Sequence, residues 1–187
     1  MATQMEKTPS LFIPIASTEE MLDAKSWINT SYEWHQEWQN LICRRLGEAL
    51  ASWTSVEWGL LQLYLEAIKP KDGRAAVGAW DSLQSPRALI DMTNAAVCVM
   101  DNKKADLEVW GKINVDLIKK LSRRNQIAHC QIYYDHNAKA PERKMFLGSH
   151  KQTKGIDERI YSSELVDMRQ VFVALSEKIA AFRASLA

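Results

Sequence analysis

Three side chains near one end of a predicted helix are of types that do chemistry together: Arg124, Asn125 and His129. A guanidinium is a permanent cation whose planar fork matches the oxygens of a phosphate or a carboxylate. An imidazole titrates near neutral pH and so can take or give a proton in a reaction run there. A primary amide offers a donor and an acceptor with which to orient either of them. Lys119, Lys120 and Arg123 place three further positive charges close by; taken alone they would be an ordinary solvated helix end.

Periodicity identifies the element that positions these groups. Trp110, Ile113, Leu117 and Leu121 recur at three- and four-residue steps, the pattern of a helix burying one face, and the spacing predicts a helix from about Ala105 to Ala128. Carried forward at about 100° per residue, the stripe passes through Arg124, Asn125 and Ala128, with His129 one turn beyond Asn125 and Arg123 pointing away. Polar groups thus stand where leucines are expected, and a half-buried guanidinium is expensive unless paired. A second long helix, predicted from Thr30 to about Lys69, carries a matching anomaly. Leu46, Leu50, Trp53, Leu60 and Tyr64 step along one seam, and the missing member of the series is Glu57. Either Glu57 sits at the core edge and reaches water, or it pairs with Arg124 across the core.

Arg124-Asn125-Gln126-Ile127-Ala128-His129 is an Arg followed by a polar residue and, after three more positions, by His near the end of a long helix. It resembles the signature of HEPN domains, and the resemblance covers about residues 40 to 187. HEPN domains are small α-helical proteins, many of them metal-independent ribonucleases that work as dimers. The resemblance implies RNA cleavage in which a ribose 2′-hydroxyl attacks the adjacent phosphate and leaves a 2′,3′-cyclic end. In that reaction His129 would move protons, Arg124 would hold the charge gathering on phosphorus, and Asn125 would orient the imidazole or the phosphate. Glu57 would support Arg124, while Lys119, Lys120 and Arg123 would steer the RNA backbone. One chain offers a single such histidine, so the resemblance also implies a homodimer, and toxin-like members imply a protein antitoxin. The alternative is a non-catalytic HEPN-like module that binds a nucleotide, RNA or a protein, with Arg124 paired to Glu57, Asn125 capping backbone and His129 in a polar niche. Some family toxins carry Tyr two residues after the motif His; here that residue is Gln131.

The remaining sequence sets bounds. The 187 residues, 47% hydrophobic with seven Trp, suit one helical domain over residues 17–187 after a leader at 1–16 that docks Leu11, Phe12 and Ile13. A formal net charge of +1 gives no global basic field, so RNA must be met by local patches. Cys43, Cys98 and Cys130 are an odd, scattered set, which points to reduced thiols and a cytoplasmic protein. Cys130 reads as a small buried side chain rather than a nucleophile. No run of about 18 apolar residues occurs. Glu33, His35 and Glu37 scatter around their helix, so no metal or other cofactor is expected. Phosphate-binding, dinucleotide and Gly-x-Ser-x-Gly patterns are missing.

The expected fold is all-α: an antiparallel bundle of four to five main helices, with a small β-hairpin or irregular insertion at about 131–161 before the last helix. Lys139, Arg143, Lys144, Lys151 and Lys154 make that insertion basic. Ser17-Thr18-Glu19-Glu20 and Thr30 with Glu33 are capping-box patterns that predict a short first helix ending near Asn29. Ser162 or Ser163 is expected to cap the last helix.

Overall fold

The apolar seams fold into five helices in a computed structural model that describes residues 18–100, 104–135, 137–140, 144–149 and 159–186. These are α1 (Thr18–Ile68), α2 (Gly73–Asp81), α3 (Pro86–Val99), α4 (Lys104–Ala128) and α5 (Ser162–Ser185). A hairpin of β1 (Cys130–Tyr134) and β2 (Met145–Ser149) precedes α5. Among the described residues no helix is long and apolar enough to cross a membrane.

The chain divides into two compact units, Met1–Trp38 and Gln39–Ala187. In the first, the rings of His35 and Trp38 lie 5.1 Å and 5.8 Å from that of Trp34. The leader expected at residues 1–16 lies outside the described residues. No separate helix ends near Asn29, because α1 runs unbroken through Thr30. Threonine caps a helix only where the backbone leaves helical angles, and between Thr18 and Gly47 neither Gly nor Pro turns it aside.

In the second unit the buried seam of α1 is Ile42, Ala49, Trp53, Val56, Leu60 and Leu63. From Ala49 onward its members alternate four- and three-residue steps, the heptad spacing of a helix packed along its length. The missing member of the predicted series is therefore supplied by Val56, and Glu57 sits half-buried beside the seam. Lys69, at φ 41°, and Pro70 end α1. Asp72 then accepts from the amides of Arg74 and Ala75, which starts α2 at Gly73. Ser85 caps α3 through the Ala88 amide at 3.1 Å, with Pro86 in the first turn.

α5 joins the two longest helices. Trp53 meets Phe172 edge-on at 5.2 Å, a Cβ at Gly59 would lie 3.3 Å from Ile179, and Arg45 and Arg183 reach Ser162 and Gln62. Residue numbers rise together in these contacts, so α1 and α5 run parallel. Against α4 they run oppositely: Trp110 stacks on Phe182 at 5.5 Å, and Asp116 holds Lys178 at 3.1 Å. Consecutive helices of the α4/α5 pair are thus antiparallel, as the bundle requires. The N-terminus of α5 departs from expectation, because neither serine caps it. The buried Ser162 hydroxyl accepts from Arg45 Nη1 at 2.8 Å, and Glu164 reaches back to the Tyr161 N–H at 2.8 Å.

The hairpin is antiparallel, pairing Cys130 with Ser149 through Tyr134 with Met145. Ile160 adds an edge by exchanging both backbone hydrogen bonds with Leu147. Asp135 closes the turn by accepting from the Asn137 amide at 2.9 Å and from the Arg159 guanidinium. The Asn137 amide, and then Arg159, hold its carboxyl below the ordinary range. A depressed folded-state pKa means that the folded chain resists protonation more than the unfolded one. Its stabilisation is present above the unfolded value of about 4 and is lost as pH falls below it. Urea denaturation of wild type and Asp135→Asn at pH 7 and pH 2.5 should show a stability difference at the higher pH that shrinks at the lower one.

Candidate functional site

The motif occupies the last two turns of α4 and the turn into β1. Trp110, Ile113, Leu117 and Leu121 are buried as their spacing predicts. Beyond Leu121 the buried side swings around the helix: Ile127 is 1% exposed, whereas Asn125 is exposed and Ala128 only half-buried. Ile127 lies about 100° from Ala128 on the helical wheel, so the extrapolated stripe misplaced the last turn by one residue. Its signal was present, since Ile127 is the one large aliphatic residue after Leu121 in the helix.

Arg124 is half-buried. Its Nη1 donates to Asn125 Oδ1 at 3.3 Å, and its Nε is buried without a hydrogen-bond partner. Asn125 therefore serves Arg124 and neither holds the His129 ring nor caps backbone. His129 is exposed in the turn just past the end of α4, open to solvent rather than in a buried niche. Lys119 is exposed, Lys120 is half-buried, and Arg123 donates to Gln126 Oε1 at 2.9 Å on the outer side. Between Asp116 and Asp135 the sequence holds no acidic residue, so these cations form an uninterrupted positive end to α4. The helix dipole favours cations there by about 0.3–1 kcal/mol each, which explains some positive charge without explaining a buried unbonded Nε. Of the basic residues in the insertion, Lys139 is exposed and Lys144 half-buried; Arg143, Lys151 and Lys154 lie outside the described residues.

Glu57 and Arg124 do not pair. Glu57 Oε1 accepts from Trp53 Nε1 at 2.7 Å, and among the described residues no ion pair joins it to Arg124. The cause is axial register. The α4/α5 and α1/α5 contacts, continued at the helix rise, set Arg124 level with about Arg169 and Ala49, leaving Glu57 about 12 Å further along α1. One carboxylate near that level, Glu48, stands 3.8 Å from both Arg44 and Arg169. Arg45, half-buried on Ser162, is a cation that sequence reasoning passed over, although it adjoins the seam between Ile42 and Ala49.

Cys130 donates through its thiol to the Ile127 carbonyl at 3.0 Å, and burial pushes its pKa up. A thiol kept protonated is a poor nucleophile, which leaves the proton chemistry of this end of α4 to His129. This end of α4 carries a cation able to hold a phosphate oxygen and, five positions further along the chain, an accessible imidazole, with further positive charge leading up to them.

Compared with known protein-family models, curated proteins and solved structures, the chain has no match.

Because among the described residues Glu57 holds only the Trp53 indole, Glu57→Ala should destabilise the fold by about 0.5–1.5 kcal/mol in urea denaturation. A loss of about 3–5 kcal/mol, the penalty for stranding a buried cation, would mean that Arg124 depends on it after all.

Proposed function

We propose that this chain is a HEPN-like endoribonuclease that cleaves RNA without a metal ion, as its motif resembles, and that it acts as a homodimer in the cytoplasm under a protein antitoxin. The observation that carries the reading is the state of Arg124. It is a half-buried guanidinium with a buried Nε, bonded only to a neutral amide and set among cations. A charge so placed is costly unless an anion answers it, and among the described residues no carboxylate does. A phosphodiester is an anion whose two non-bridging oxygens can accept the paired N–H donors of a guanidinium.

In the reaction, the 2′-oxygen bonds to phosphorus while the bond to the 5′-oxygen of the next nucleotide breaks. One proton leaves the 2′-hydroxyl and one reaches the departing 5′-oxygen, and water is not consumed. An imidazole can perform either transfer, and Arg124 can neutralise the non-bridging oxygens as charge gathers there. A second copy supplies the second imidazole, so acid and base need not be the same group. Lys119, Lys120 and Arg123 extend the positive path along which the backbone approaches.

A second reading rests on the His129 ring, which no side chain among the described residues holds by a hydrogen bond. An imidazole free to turn suits a module that binds a nucleotide, RNA or a protein without cleaving.

Purified protein incubated with end-labelled RNA and a chelator separates the two. Cleavage leaving 2′,3′-cyclic ends, lowered about 100-fold or more by Arg124→Ala and by His129→Ala with melting temperatures within a few degrees of wild type, is the expected outcome. Full cleavage by Arg124→Ala overturns the role given to it. Light scattering should give twice the 21.3 kDa chain mass; a monomer at tens of micromolar would remove the second imidazole from the mechanism.

A further inference from the structure

The hairpin that follows His129 has two unlike faces. Its register puts Ile132, Tyr134, Met145 and Leu147 on one side and Gln131, Tyr133, Phe146 and Gly148 on the other. Met145 and Leu147 are buried, so the first side covers the core. The second side of such a sheet is ordinarily polar. Here it carries two half-buried rings, Tyr133 and Phe146, with centroids 5.7 Å apart and planes 20° from parallel. Arg159 lies over Phe146 at 4.8 Å, and the Tyr161 ring stands beside it at 6.3 Å. Gly148 makes the arrangement possible. A Cβ there would come within 3.0 Å and 3.1 Å of two Tyr133 ring atoms, tighter than ordinary contact, so glycine lets that ring lie against the strand without shifting.

We propose that Tyr133 and Phe146 form a stacking platform for unpaired bases, which makes single-stranded RNA the ligand of this end of the molecule. The proposal rests on the endoribonuclease reading for its choice of nucleic acid. Four observations point to that ligand rather than to a purely structural ring pair. The rings lie on the face that the core does not use. Each ring keeps part of its surface in solvent, the Phe146 face under Arg159 excepted. The strand leaves directly from His129 and reaches Tyr133 about 13 Å further on, close enough for a base near the reacting phosphate to arrive there. The approach is positive, through Lys119, Lys120, Arg123 and Arg124, while Asp135, the first acidic residue after them, is held by Arg159. Aromatic side chains bind unpaired bases through their faces, whereas in a duplex those faces already stack on one another. Tyr133 Oη and the Gln131 amide, 3.4 Å apart at the near edge, add hydrogen-bonding groups for a base rim.

The test uses the full chain carrying His129→Ala, so that RNA survives, and fluorescence anisotropy with short labelled oligouridylate and with a duplex of equal length. Single-stranded RNA should bind more tightly than duplex. Tyr133→Leu and Phe146→Leu should each weaken single-strand binding by about 5- to 150-fold, with Tyr133→Trp retaining it. In the parent protein, where no leucine variant can confuse folding with binding, 4-thiouridine-labelled RNA should photo-crosslink to Tyr133 or Phe146. Equal binding of duplex and single strand, unchanged affinity in both leucine variants, adducts confined to other segments, or no RNA binding at all would each overturn the platform; unchanged affinity would hand the rings to hairpin stability or a protein contact. Binding and crosslinking as expected, with no cleavage by the wild type, would sink the nuclease reading and leave the platform standing.

Discussion

The axial register of α5 against its two long neighbours is the constraint on which the rest of this structure depends. Trp53 on Phe172 and Trp110 on Phe182 fix it, with Gly59 admitting Ile179 between them. Rings of this size cannot slip by one turn without opening cavities in an interior packed to crystal-like density. Every polar contact between the helices is then decided by level along the bundle. Lys178 finds Asp116, Arg183 finds Gln62 and Arg45 finds Ser162 because the register brings them abreast.

The same register isolates Arg124. It emerges near the end of the bundle, where Glu48 already faces two other arginines and Glu57 is about two turns away. Among the described residues its hydrogen-bond partner is an amide from its own helix, and the exposed imidazole of His129 follows past the helix end. A structural arginine is normally placed where a carboxylate meets it. One left with a buried unbonded nitrogen at a positive helix end has the properties of an anion site.

The β insertion is shaped by alternation in the same way that the bundle is shaped by heptads. Met145 and Leu147 tie one face to the core, Ile160 adds an edge, and the Asp135–Arg159 pair closes the turn. With the inner face fixed, the period of two leaves Tyr133 and Phe146 outside, next to the motif.

How much could be read without coordinates follows from the range of each interaction. Trp110 to Leu121 and the small β insertion before the last helix were readable because burial repeats at 3.6 residues in a helix and 2 in a strand, and each repeat is local. Arg124, Asn125 and His129 stood out for the same reason, as polar groups interrupting an apolar period. The sequence did not determine which residues meet. Val56 rather than a gap continues the α1 seam, Ile127 rather than Ala128 closes that of α4, and Ser162 serves Arg45 instead of capping its own helix. Whether a charge in a seam has a partner depends on the height of one helix against another, and that height is set by aromatic packing between residues far apart in the sequence, Trp53 with Phe172 and Trp110 with Phe182. Periodicity within a single helix carries no record of it, so only the tertiary structure could separate Glu57 from Arg124.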